Sequence, residues 1–320
     1  MAESPKRARR RAALSPRDVG AERRRFAKQR EVELTRRLRE YEAAFRVPKR
    51  VVAKRGRAGA AGPKRALAPA KKAPPLQILA EGDSWFDYPA LPDGGIISRL
   101  ADRLGVPILN LAKAGDEVRY MLGVEERKQL RKHLAKGGPS GDPWDVLLFS
   151  GGGNDIVDNP MALWVREYAK GKPPGQLIHQ PRFDAALALV RAGYEDLIAL
   201  RDEHSPTTQL LFHAYDFALP DGRGVCFFGP WLKPTFKLRG FPAFDPSSDA
   251  ALVVREMLQQ FAAMLQALVR PGVTFLNGQQ TLPNTPKSWH NELHPSSAGF
   301  DAFARLFHDK LRQLFPGRVP

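Results

Sequence analysis

Four short stretches of the 320-residue chain carry residue types that could do chemistry, and the first three lie just past the end of an apolar run. The first is Gly82-Asp83-Ser84-Trp85, after the apolar run 76–80. A parallel strand ending there delivers the Ser84 hydroxyl to the sheet edge at which open α/β sheets bind their ligands. The same tripeptide also reads as a plain turn, since Gly, Asp and Ser all favour turns. The second stretch, Asn110-Leu111-Ala112-Lys113-Ala114-Gly115, puts a glycine at the same kind of position. In the third, Gly151-Gly152-Gly153-Asn154-Asp155, the glycines let the backbone approach a ligand and Asn154 adds a side-chain donor without a charge. If these strands are neighbours, the N–H groups of Ser84 and Gly115 and the amide of Asn154 converge on one point, and three donors on one point make an oxyanion hole. The fourth is His294-Pro295, after the last apolar run and before the final helical stretch. A lone histidine is more often structural than catalytic, but this one arrives at the same sheet edge as Ser84.

Two rival chemistries fit less well. A nucleotide-binding glycine loop needs Gly-Lys-Ser/Thr or G-x-G-x-x-G, and neither spacing occurs at 151–155. A metallophosphatase would use Gly82-Asp83 and Gly153-Asn154-Asp155 as metal loops, but its Asp-x-His near the first strand and its later histidine pairings are missing. Asp83 and Asp155 therefore read as braces for their loops.

The elements that must position these residues alternate. Strands are expected at 76–80, 107–111, 146–150, 209–214 and 273–276, and helices at 96–104, 117–134, 183–203, 248–269 and 298–314. Buried strands separated by helices of this size predict a parallel sheet covered on both faces, a three-layer α/β sandwich forming one domain over 76–320. Two connections are long, 155–181 and 215–246. The second carries Phe217, Phe227, Phe228, Trp231, Phe236, Phe241 and Phe244, which suit either a wall for an apolar substrate group or a loop packing its own aromatics.

Charge divides the chain near Pro75. Residues 1–75 hold 24 Lys and Arg against 7 Asp and Glu, so the net charge of +16 belongs to this extension. Within it, Leu34, Leu38, Tyr41 and Phe45 share one face of a possible amphipathic helix at 21–46, and the remainder is expected to be largely disordered. A solvated linker, weak polyanion contact and contact with an anionic membrane surface are all open for it. Cys226 is the single cysteine, which excludes an intrachain disulfide. The N-terminus lacks the apolar run of a secretory signal and no transmembrane segment is expected, so the expected location is cytoplasmic.

With Ser84, Gly115, Asn154 and His294 in order at strand ends, residues 76–315 resemble the SGNH hydrolases, the GDSL esterase/lipase superfamily. The resemblance implies a flavodoxin-like sheet of strand order 2-1-3-4-5, with no metal or organic cofactor. It implies a carboxylic ester hydrolase, an esterase, lipase or carbohydrate-ester deacetylase, acting through an acyl-serine intermediate on a small-molecule or lipid-like ester. Ser84 would be the nucleophile, His294 the base and then the acid, and Ser84 N–H, Gly115 N–H and the Asn154 amide the oxyanion hole. Trp85, Phe227, Phe228 and Trp231 would contact the substrate. The family usually has aspartate three residues before the histidine, where this chain has Asn291. Asn291 is the expected partner of His294, with Glu292 and a backbone carbonyl as alternatives, because an amide carbonyl can orient the ring but cannot offset imidazolium charge. A degenerate fold kept for binding, with a polyanion-binding tail, is the non-enzyme alternative.

Overall fold

The computed structural model describes residues 16–46, 74–225 and 229–320, and within the first helix the side chains of 28–45. Most of the extension expected to be disordered (its residues 1–15 and 47–73), together with Cys226, Phe227 and Phe228, lies outside the described residues.

Five parallel strands, β1 (Ile78–Gly82), β2 (Ile108–Asn110), β3 (Val146–Ser150), β4 (Gln209–His213) and β5 (Val273–Leu276), pair in the order β2-β1-β3-β4-β5. Alternation along each strand fills both faces. Phe149 and Phe212 meet Tyr194 of α5 (Gln180–His204), whereas His213, one residue on, meets Phe307 on the C-terminal helix 297–314. The α5 side is built from α3 (Val118–Met121), α4 (Val124–Lys136), α5 and α7 (Asp249–Gln266); the other side pairs α2 (Ile96–Leu104) with α8 (Ser297–Leu314). The three-layer α/β sandwich expected from the sequence is therefore present. Among the described residues, no helix is long and apolar enough to cross a membrane.

Three boundaries differ from expectation for physical reasons. β1 runs on through Glu81, a charge that would normally close a strand, because burial pushes its carboxyl up to about 8 and its Oε1 accepts the Gly82 N–H. The helix expected over 117–134 is broken at Gly123, whose extended backbone starts α4 afresh. Inside the aromatic connection a short helix, α6 (Lys233–Leu238), forms where Phe236 enters the core.

The basic extension contains α1 (Pro16–Arg46), which begins five residues before the expected start. Its predicted apolar face is the docked one: Tyr41 is buried with its ring 5.8 Å from that of Trp144, and Leu34, Leu38 and Phe45 pack on the same core. α1 thereby lies along β2, the strand at one edge of the sheet. Covering an edge removes a template for unwanted strand pairing.

Candidate active site

β1 ends against β3 so closely that only glycine fits at position 82, where a Cβ would stand 2.6 Å from the Ser150 carbonyl oxygen. The chain then folds over. Asp83 N–H donates to Ser150 O at 3.0 Å, and the N–H groups of Phe86 and Asp87 both donate to Asp83 O at 3.1 Å, leaving Ser84 on the turn. Its Oγ lies 2.7 Å from His294 Nε2.

The tautomer of His294 follows from Asn291. One side-chain atom of the fully buried Asn291 faces the N–H of Leu293 at 2.9 Å, the N–H of His294 at 2.9 Å and His294 Nδ1 at 3.0 Å. Backbone N–H groups only donate, so that atom is the amide oxygen, Nδ1 carries the hydrogen, and the Nε2 lone pair faces the Ser84 hydroxyl. The amide nitrogen donates to Tyr88 OH at 2.9 Å, and Tyr88 OH is 2.7 Å from His290 Nδ1. The Tyr88 ring stacks on the imidazole with centroids 4.3 Å apart, and Trp231 meets it edge-on at 6.0 Å. Burial, with His290 nearby, pushes the His294 pKa down to about 3. Asn291 supplies no negative charge to oppose that.

Glu292, the alternative partner, turns the other way. Its carboxylate accepts the N–H groups of Gly222 at 2.9 Å, Leu232 at 2.8 Å and Lys233 at 3.0 Å, and also that of Trp231. It ties the aromatic connection to the loop carrying His294 and so fixes Trp231 beside the imidazole.

Ser84, Gly115, Asn154 and His294 line one cleft of about 450 Å³, with Tyr88 and Trp231 on its walls. Gly115 sits at φ 85°, a backbone conformation open chiefly to glycine. The Asn154 amide donates one hydrogen to Asp116 O at 2.9 Å, which leaves the other for a ligand. Among the described residues, no protein acceptor takes the N–H of Ser84 or of Gly115. Asp155 accepts the Val118 N–H at 2.9 Å and so braces its loop. A second, smaller cavity of about 40 Å³ shares Ser84, Asn154 and His294 with this cleft and is otherwise lined mainly by apolar side chains, among them Ile156, Met161, Leu232, Val254, Met257 and Leu258.

Behind the serine lies a buried network. Asp83 accepts from Trp85 N–H at 2.9 Å and from Tyr215 OH, and its Oδ1 is 3.0 Å from Ser150 Oγ. Ser150 Oγ is 2.9 Å from His213 Nε2, and His213 Nδ1 is 3.0 Å from Ala214 O. The contacts Asp83–Ser150, Ser150–His213 and His213–Ala214 each need a hydrogen. A carboxylate, a hydroxyl and a neutral imidazole supply only two. One further proton therefore belongs to the network. Burial pushes the Asp83 carboxyl up to about 6 and the His213 imidazole down to about 4, so between pH 4 and 6 Asp83 is its holder.

Of the residues expected at a site, Ser84, Asn291, Gly115, Asn154, His294 and Trp231 are brought together. Trp85 is buried among Tyr215, Trp289, Phe300 and Phe303, and its indole N–H donates to Leu293 O at 3.1 Å, so it steadies the histidine loop besides touching the inner cavity. Phe227 and Phe228 lie outside the described residues. Sequence reasoning missed Tyr88 and His213. Tyr88 had one signal, its place four residues after Ser84; His213 had none, being a single polar residue in an apolar strand.

Comparison with solved structures finds a lipase from a goat-rumen metagenome at 20% identity, covering 77% of this chain and 100% of that one with TM-score 0.47. An extracellular lipase from Streptomyces rimosus matches at 14% identity, covering 73% of this chain and 99% of that one, TM-score 0.47. A carbohydrate esterase family 3 protein from Talaromyces cellulolyticus matches at 10% identity over 75% and 97%, TM-score 0.43. No curated protein matches the sequence. The profile of the GDSL-like lipase/acylhydrolase family matches residues 80–302, which contain Ser84, Gly115, Asn154 and His294, and the chain belongs to that family.

Proposed function

We propose that the protein is a serine carboxylic-ester hydrolase that works through an acyl-Ser84 intermediate. The observation that carries this is the 2.7 Å contact of Ser84 Oγ with the unprotonated Nε2 of His294, whose Nδ1–H is held 3.0 Å from Asn291. Ser84 attacks the ester carbonyl while His294 takes its proton. The oxyanion receives the N–H of Ser84, the N–H of Gly115 and the free hydrogen of the Asn154 amide. His294 then passes its proton to the departing alkoxide, and water, activated by the same imidazole, frees the acid.

The two cavities divide the ester. The alkoxide must leave beside the imidazole that protonates it; His294 lines both cavities, and the alcohol group is assigned to the larger cleft, where Tyr88 and Trp231 flank the ring. The acyl group then enters the smaller apolar cavity. At about 40 Å³ against about 450 Å³ it is much the smaller of the two, which suits the smaller part of the ester. A short acyl group, about two to four carbons, fits. Each further methylene buried adds about 0.8 kcal/mol until the space is full.

A p-nitrophenyl ester series tests this. The expected result is highest kcat/KM between acetate and butyrate, a fall beyond, and no turnover by Ser84→Ala. An optimum at octanoate or longer would overturn the acyl assignment, and turnover by Ser84→Ala would overturn the serine mechanism.

A further inference from the structure

α1 precedes the region matched by the family and has no part in the chemistry described so far. It is a strongly basic helix, and its arginines are expected to face water. Arg30 and Arg37 do not. They fall with Leu34, Leu38, Tyr41 and Phe45 at i, i+4, i+7, i+8, i+11 and i+15, on the docked stripe. Both guanidinium groups reach the outer rim of β2, where an edge strand leaves carbonyls unpaired. Arg30 Nη2 donates to Leu111 O. Arg37 Nη1 donates to Asn110 O at 3.2 Å and to Ala112 O at 3.0 Å, and its Nη2 donates to Asp87 Oδ2 at 2.9 Å.

These acceptors sit on two different working segments. Asn110 to Ala112 leads directly into the loop that holds Gly115 at positive φ. The inner side of that loop is pinned to β1 by Leu111 N–H to Ala80 O at 2.7 Å and Lys113 N–H to Gly82 O at 2.8 Å. Arg37 pins its outer side. Asp87 closes the turn that carries Ser84, through its own N–H to Asp83 O at 3.1 Å. We propose that Arg37 is a positioning residue for the reaction, a clamp that ties the Gly115 loop to the Ser84 turn. Two of the three oxyanion donors ride on the segments it joins, which makes α1 a working part of the site. A guanidinium suits the task because its rigid fork reaches these three acceptors while its Nε donates to Glu33 on α1 at 2.8 Å; an ammonium on a flexible stem does not.

The role in catalysis rests on the hydrolase reading above, whereas the clamp does not, so the test reads both. Full-length wild type, Arg37→Ala, Arg37→Lys and a control at the exposed Arg39 (Arg39→Gln) are compared by kinetics on p-nitrophenyl acetate and by amide hydrogen exchange over 111–116. Arg37→Ala is expected to lower kcat about tenfold, a fraction of the 10²–10³ that a whole oxyanion donor is worth. KM should stay within about twofold, as for an interaction felt mainly in the transition state. Exchange over 111–116 should quicken, Arg37→Lys should fall between, and Arg39→Gln should match wild type. Unchanged exchange in Arg37→Ala overturns the clamp, whether or not the protein hydrolyses esters. Faster exchange with unchanged kcat overturns the positioning role. An inactive wild type overturns the hydrolase reading and the positioning role together, with exchange still deciding the clamp. If Arg37→Ala fails to fold, Arg37→Lys decides by the same two readouts.

Discussion

Two buried histidines flank Ser84, and the chain gives them opposite partners. His213 is linked through Ser150 to a carboxyl, Asp83, deep between β3, β4 and α8. His294 faces the cleft and has a neutral amide, Asn291. The carboxyl thus lies on the side of the histidine with no access to a ligand. What separates them is what each must hold still. The Asp83 network braces the turn that presents Ser84. Asn291 fixes the tautomer of His294 and leaves its basicity low, with a pKa near 3. Orientation and charge stabilisation, joined in one residue when the partner is aspartate, are separated here.

The largest effects should break this contrast cleanly. His294→Ala is expected to lower kcat by about 10⁴ or more with little change in melting temperature, as removal of a catalytic base does. His213→Ala should instead cost about 2–4 kcal/mol of stability in urea unfolding, the range for a broken buried polar network, with kcat far less affected. Loss of kcat alone in His213→Ala would reverse the two assignments. Next in size, Asn154→Ala should lose about 10²–10³ in kcat, the worth of one oxyanion donor, measured on the same ester.

The pH profile sharpens the comparison. In the proposed mechanism the neutral imidazole is the base, so kcat/KM should rise with pH through the His294 pKa; with that near 3, the acid limb should lie well below 6.5 and the rate should be flat across neutral pH. Asn291→Asp places a negative charge beside Nδ1–H and should move the acid limb up by about 1–3 pH units. A wild-type limb at 6.5 or above would contradict the account of Asn291.

The smallest effect concerns the other histidine. The folded Asp83 holds its proton from 3.8 up to about 6, so alone it makes stability fall as pH rises through that window. His213 is depressed from 6.5 to about 4, so alone it makes stability rise with pH over nearly the same window. The two slopes offset, because folded and unfolded pairs each bind one proton. His213→Asn leaves Asp83 unopposed, and its stability should fall by about 1.4 kcal/mol per pH unit between pH 4 and 6, a slope the wild-type pair lacks.

Much of this was legible in the residues because it is local. Ser84, Gly115 and Asn154 each closely follow an apolar run, and a parallel sheet brings such run ends to one edge whatever else the chain does. The choice between Asn291 and Glu292 was not legible. It depends on how 288–296 folds back on itself, with His290 N–H on His294 O at 2.8 Å, which directs one side chain inward and its neighbour to Gly222 and Leu232. The apolar stripe of α1 was readable; its docking was not, because the partners of Arg37 are backbone carbonyls, which no side-chain pattern announces. His213 was unreadable for a related reason: its partners are 63 residues away at Ser150 and further still at Asp83.

The most direct test of the central claim is labelling by a fluorophosphonate, which a serine attacks as it would an ester carbonyl, with the modified residue located by peptide mass mapping. The account predicts a single adduct on Ser84 in the wild type, slower labelling in Asn291→Ala and almost none in His294→Ala. A folded wild type that takes no label, or one that labels at another residue or labels as fast without His294, would contradict it.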